Sequence, residues 1–256
     1  MSRGPNGIVA GAFDIAGDTS YHLYLVRRDG SSPTLIGHGA ASSFSADGKW
    51  LSSIDPAHPE NLFIIPTGVG EARTLKAPAG RHYAGAAFFP DGKSLLITTV
   101  AAGQNPQSSI QDLESGAVRD FGPTGRYVQA HVLTLYPGPS PDGKYCVETD
   151  GQGRFWLQPF EGQGAREISG IGSAERIINW HSDANNIFLS RQDGANVQVT
   201  NLELASGRRS TWTTFSPTDK SGLTANSGLG ITPDGAHFAY EAHRIYSTLF
   251  VANRVR

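Results

Sequence analysis

The chain has 256 residues, enough for one or two domains, and its 21 Lys and Arg against 23 Asp and Glu give a formal net charge of −2. That balance supplies no basic footprint for nucleic acid and no polybasic patch for anionic lipid; a lone cysteine, Cys146, rules out an intrachain disulfide, and no run reaches the ~20 apolar residues of a membrane span. Gly (31) and Pro (15) are in excess, while the segments between them are apolar and aromatic, which points to many tight turns rather than to disorder.

In chain order, residues 1–13 lack a charged stretch followed by a long apolar run, so they do not read as a signal peptide, and a complete chain would be cytoplasmic. A first strand is predicted over residues 8–13, and Asp29-Gly30 marks a turn. Then a signal begins to recur: an apolar strand, a Pro/Ala/Ser-Asp-Gly turn, another apolar strand. It stands as Ser45-Ala46-Asp47-Gly48, Phe89-Pro90-Asp91-Gly92, Ser140-Pro141-Asp142-Gly143 and Thr232-Pro233-Asp234-Gly235, with His181-Ser182-Asp183-Ala184 as a degenerate copy. Pro presets φ, Asp bonds its own backbone and Gly accepts positive φ, so the motif is turn chemistry with a mechanism. Successive turn aspartates lie 41 to 51 residues apart, a propeller-repeat period.

A second turn lies inside each unit, at Gly68-Val69-Gly70, Ser115-Gly116, Gly162-Gln163-Gly164 and Ser206-Gly207. β-Branched or alternating runs fill the gaps at residues 51–54, 61–65, 95–100, 187–190, 197–204 and 237–242, with a last strand predicted over 248–252. No long 3.6-residue period with caps occurs, so helix is expected to be minor. The reading is an all-β chain: one β-propeller domain over residues 1–256, about six four-stranded blades (strands a to d), the first lacking strand a and the last lacking strand d.

The span holding both tight turns is nearly constant, 22 to 25 residues, whereas the remainder varies from 17 to 27. In an up-and-down blade the a–b and c–d turns share one face, and the b–c and d–a loops share the other. Variation in length goes where function is carried. The sequence therefore places a protein or small-molecule partner on the b–c/d–a face. Arg81, His82 and Tyr83 fall in one d–a loop, Arg126, Tyr127 and His131 in the next, and Arg244 flanks another. Arg and Tyr suit interface anchors, which makes these seven the candidate binding residues.

The Pro-Asp-Gly-Lys copies resemble the Pro-Asp ("PD40") or TolB-type propeller repeat. The segment from Leu62 through Pro66 and Gly70 to Leu75, and the ending from Thr232 through Phe238 to Val251, resemble the C-terminal propeller of bacterial serine/threonine protein kinases and related regulators. The resemblance implies a sensor or interaction module and a regulatory role.

Catalytic signatures are weaker. Asp120-Phe121-Gly122 copies a kinase tripeptide, but Phe121 falls on the repeat's apolar position and no phosphate loop or catalytic loop accompanies it. No Gly-x-Ser-x-Gly elbow occurs, and the eight dispersed histidines form no metal-binding spacing, so neither a metal nor another cofactor is expected. The four arginines at the start of the d strands, Arg73, Arg119, Arg166 and Arg209, read as solvated outer-strand residues, and Trp50, Trp156, Trp180 and Trp212 as fillers between blades. The competing reading is a propeller enzyme, of lactonase or hydrolase type, with polar residues converging on the channel.

Overall fold

A computed structural model describes residues 2–3, 9–13, 21–27, 29, 31–123, 125–128, 138–162 and 164–245; for 2–3, 9–13, 225–229, 239 and 241–243 it describes the backbone alone. Everything regular in it is strand. The first sheet contains β1 (Ser2–Arg3), β2 (Val9–Phe13), β3 (His22–Val26) and β4 (Thr34–His38). The second contains β5 (Ala40–Phe44), β6 (Trp50–Ile54), β7 (Asn61–Pro66) and β8 (Arg73–Lys76). The third contains β9 (Arg81–Phe88), β10 (Ser94–Ala101), β11 (Gln107–Asp112) and β12 (Val118–Asp120). A three-stranded sheet follows, β13 (Tyr145–Thr149), β14 (Phe155–Pro159) and β15 (Arg166–Glu167). Another of four strands has β16 (Glu175–Trp180), β17 (Asn186–Asp193), β18 (Asn196–Glu203) and β19 (Arg209–Phe215). Two strands end the series, β20 (Leu223–Ile231) and β21 (Phe238–Arg244).

Each sheet is an antiparallel meander, and the sheets pack in chain order in a propeller-like arrangement. Period-2 alternation explains how. Leu95 and Ile97 on β10 pack back against Ile54, Leu62 and Ile64 of the second sheet, while Leu96 between them faces forward to Cys146 of the fourth. One sheet on, Val147 faces Ile177, Trp180 and Leu189, and Phe188 on β17 faces Ile231 of the last. β10, β13 and β17, in the body of their sheets, therefore bury apolar side chains toward both neighbouring sheets.

Buried and half-buried hydroxyls tie one sheet to the next. Ser42 and Ser43 Oγ accept from the amides of Ala86 (2.9 Å) and Phe88 (3.1 Å), and Ser52 Oγ donates to the Ala86 carbonyl. Ser108 Oγ accepts from the Val128 amide (2.7 Å) and Thr98 Oγ1 donates to the Val128 carbonyl (2.6 Å). β9, and Val128 ahead of β13, are thus hydrogen-bonded to the blade before them.

The expected a–b turns are found at all five positions. Gly48, Gly92, Gly143 and Gly235 adopt φ of 70°, 68°, 72° and 69°, and Ala184 in the degenerate copy adopts 58°. Each of these residues donates its amide to the carbonyl three positions earlier. The aspartate Oδ1 accepts from the amide two residues on, at 3.0 Å for Asp47, 2.9 Å for Asp91, 3.1 Å for Asp142, 2.8 Å for Asp183 and 2.9 Å for Asp234.

Two parts of the expectation are corrected. Among the described residues four sheets have four strands, one has three and one has two, not about six four-stranded blades. The first sheet does not lack its a strand: Ser2 and Arg3 pair with Ala10 and Val9, too short a run to carry a visible alternation. The strand expected over 248–252 lies outside the described residues.

The tryptophans also divide. Trp180 is buried between sheets and donates its indole N–H to the Gly138 carbonyl at 2.9 Å. Trp50 and Trp156 are half-buried under arginines, and Trp212 on the outermost strand is 42% exposed. Arg166 and Arg209 are not merely solvated: they donate to the carbonyls of Leu204 and Gly170, bridging adjacent blades.

Candidate functional site

The seven candidate residues separate once placed. Arg81, His82 and Tyr83 are not loop residues but open strand β9. Tyr83 is buried, 2% exposed, within the apolar cluster between the second and third sheets, and its hydroxyl donates to Gln111 Oε1 at 2.7 Å. Burial pushes its phenol up to about 12, against the pull of that hydrogen bond. Tyr83 is therefore a core residue. It alternates inward from exposed His82, a phase that loop-length reasoning could not see.

Arg81 is committed to its own blade, donating to Thr99 Oγ1 (2.7 Å), the Thr99 carbonyl (2.9 Å) and Gln104 Oε1 (3.3 Å). Arg244 holds the loop between β19 and β20, with Nη1 2.9 Å from Asp219 Oδ2 and further bonds to the carbonyls of Ser221 and Asp219. His131 lies outside the described residues.

Arg126 and Tyr127 do meet other chemistry-bearing groups. Residues 121–123 and 125–128 follow β12 along the b–c/d–a end of the third and fourth sheets. The run is anchored at both ends. The Phe121 ring packs 4.9 Å from Phe160, and Tyr127 exchanges two backbone hydrogen bonds with Thr149. Phe121 is 8% exposed, so the middle residue of the kinase-like tripeptide is a core position of the repeat, flanked by exposed Asp120 and Gly122. Gly122 (φ 72°) and Gly125 (φ 88°) turn the chain between the anchors.

Under this loop lies Glu148 of β13, which sequence reasoning missed. It is fully buried, and among the described residues neither carboxylate oxygen has a hydrogen-bond partner. Its neighbours follow from register. Cys146, two residues back, shares its side of the strand, and Trp156 is its cross-strand partner on β14. Gly122 roofs it: a Cβ there would lie 2.4 Å from Glu148 Oε1. The nearest cation is Arg126, Nε to Oε2 3.9 Å, too long for a hydrogen bond.

Burial pushes the Glu148 carboxyl up to about 7, with Arg126 opposing. Burial, then the Glu148 charge, pushes the Cys146 thiol well above its ordinary value, so it is an inert core group. Arg126 is 21% exposed at the side chain; its guanidinium carbon lies 4.9 Å from the Trp156 ring centroid, and Nη2 makes a long 3.5 Å bond to Gln158 Oε1. Arg154 also lies over Trp156, at 5.3 Å, and pairs with Asp150 at 2.8 Å. The only advance signal was a charged residue at a β13 position where the alternation calls for an apolar one.

The opposite face is chemically closed. At Asp47 the Ser45 hydroxyl (2.7 Å) and then the Lys49 amide hold the carboxylate below its ordinary value, and Thr232 and Ala236 do the same for Asp234. These aspartates are spent on their turns. Among the described residues no three His, Cys, Asp or Glu side chains come together in a way that could hold a metal ion.

No family model and no curated protein sequence matches the chain. Solved structures do. TolB from Acinetobacter baumannii superposes with a TM-score of 0.65 at 19% identity, over 93% of this chain and 64% of that one. A TolB candidate from Agrobacterium tumefaciens gives 0.61 at 17%, over 95% and 89%. An oligogalacturonate lyase from Vibrio parahaemolyticus gives 0.58 at 13%, over 90% and 66%. The likeness is one of fold, a TolB-type β-propeller, and the chain spans about two thirds of the length of the Acinetobacter protein.

Proposed function

We propose that this chain is a non-catalytic β-propeller interaction or sensor module, regulatory in role, which docks a protein or small-molecule partner on its b–c/d–a face. The observation that carries this reading is the chemical difference between the two ends of the blades. At the Asp-Gly end every turn carboxylate is satisfied by its own backbone. At the other end Arg126 and Glu148 face each other without a hydrogen bond, beside a half-buried tryptophan. A positioned Arg with donors to spare, beside a half-buried Trp, is the material of interface hot spots. Resemblance to the propellers of bacterial serine/threonine kinases supports the regulatory role. We also take β13–β15 and β20–β21 as the fourth and sixth blades, because they continue the same turn period.

One observation favours an enzyme instead. A buried carboxyl titrating at about 7 is tuned as a general acid or base would be, and the fold is shared with an oligogalacturonate lyase. Binding is preferred because Glu148 is roofed by Gly122 and, among the described residues, faces only one cation, Arg126, and the inert Cys146 thiol, which stays protonated. Hydrogen exchange of the chain with its bound partner tests the reading. Protection should fall on residues 121–128 and 150–156; protection confined to the turns at 47, 91, 142, 183 and 234 would show that the wrong face was chosen.

A further inference from the structure

The Arg126 guanidinium is held in place yet unused. It carries five N–H donors in a planar fork, and among the described residues it makes one hydrogen bond, at 3.5 Å. Its guanidinium carbon rests over the Trp156 ring, and the anchors at Phe121 and Tyr127 hold the backbone that bears it. The carboxylate beneath it stays 3.9 Å away and satisfies neither partner.

We propose that Arg126 binds a carboxylate group presented from solvent on the b–c/d–a face, and that Glu148 is the internal carboxylate that competes for the same guanidinium. This rests on the reading that the partner docks on that face. A guanidinium fork matches a carboxylate bidentately, and the bond is strongest where the fork is pre-oriented and half-desolvated. Ionised Glu148 compensates Arg126 from inside and repels an incoming anion; neutral Glu148 leaves Arg126 as an unpaired cation at the rim. The other ionisable group facing Glu148 is Cys146, which stays neutral; Arg154 and Asp150, at the tip of the same hairpin, compensate each other. The site therefore loads with a proton: anion binding raises the proton affinity of Glu148, and acidification strengthens anion binding.

Titration calorimetry on the full chain tests this with two probes that stay ionised near neutrality, N-acetylglutamate and an acetylated hexaglutamate peptide; whichever binds tells a free metabolite from a protein segment. Affinity should rise about tenfold from pH 8 to pH 6, as expected if binding requires a group titrating near 7 to be protonated. Proton uptake should appear as a dependence of the binding heat on buffer. Glu148→Gln should bind at pH 8 as tightly as the unaltered chain does at pH 6, without proton uptake. Arg126→Gln should lose binding at least tenfold, and so should the double variant R126Q/E148Q, which has no unpaired buried charge to unfold it. Absence of binding by both probes at millimolar concentration, binding indifferent to R126Q/E148Q, or pH dependence surviving in Glu148→Gln would overturn the proposal. A partner that protects residues 121–128 but ignores these variants would sink the carboxylate and leave the docking face standing.

Discussion

At the scale of single residues, the structure turns sequence features into energies. Gly92 and Gly143 hold φ near +70° with no heavy atom closer than 3.8 Å to a Cβ placed there. The penalty for a side chain is therefore backbone strain rather than collision. Gly92→Val and Gly143→Val should each destabilise by about 1–3 kcal/mol, read as a lowered denaturation midpoint at unchanged slope. Ala184 occupies the same left-handed position in the degenerate copy without being glycine, so Ala184→Gly should stabilise, by up to about 1 kcal/mol. Tyr83→Phe removes a buried hydroxyl and leaves Gln111 Oε1 without its donor; it should cost about 1–2 kcal/mol. A partner-binding assay should be unmoved by it, because Tyr83 never reaches the rim.

At the scale of elements, the loop from β12 toward the fourth sheet matters most. Its glycines are there for different reasons: Gly125 only bends the chain, whereas Gly122 also leaves room for a carboxylate. Gly122→Ala combines left-handed strain with a 2.4 Å approach to Glu148 and should cost about 2–4 kcal/mol, more than Gly125→Ala. The strand below makes a pH-dependent contribution. Burial raises the Glu148 carboxyl from 4.5 to about 7 in the folded chain, so between those values the folded state binds more protons than the unfolded one. Its contribution is fully present below pH 4.5 and is lost as pH rises through 7. Glu148→Gln should therefore match the unaltered chain in stability at pH 4 and exceed it at pH 8 by about 3 kcal/mol. Urea titrations at the two pH values measure this. A variant equally stabilised at both would mean that the carboxyl does not titrate in this range.

At the scale of the whole molecule, each blade leans on the next through one apolar cluster and a few buried hydroxyl-to-backbone bonds. Trp180 serves both roles, filling the cluster between the fourth and fifth sheets and bonding to Gly138. Trp180→Ala should cost about 3–5 kcal/mol. Trp180→Phe, which keeps most of the volume but orphans the Gly138 carbonyl, should cost about 1–3 kcal/mol. Because the lesion sits between blades, near-ultraviolet circular dichroism and far-ultraviolet loss should still coincide in one transition. Separate melting of the two halves would show that the blades are not coupled through this contact.

What the sequence determined by itself is whatever depends on neighbours along the chain. Turn chemistry is local, so Asp47, Asp91, Asp142, Asp183 and Asp234 announced the a–b turns, their spacing announced the propeller, and Phe121 declared itself a core residue by its place in the repeat. What only the tertiary structure decided depends on residues brought together from different blades. Tyr83 turned inward because β9 begins earlier than the loop count allowed, and the two-residue β1 was too short to show a pattern. The candidate site arose because Gly122 and Arg126 follow the third blade while Glu148 and Trp156 belong to the fourth. No spacing along the chain encodes their meeting, since it is set by how one sheet packs on the next.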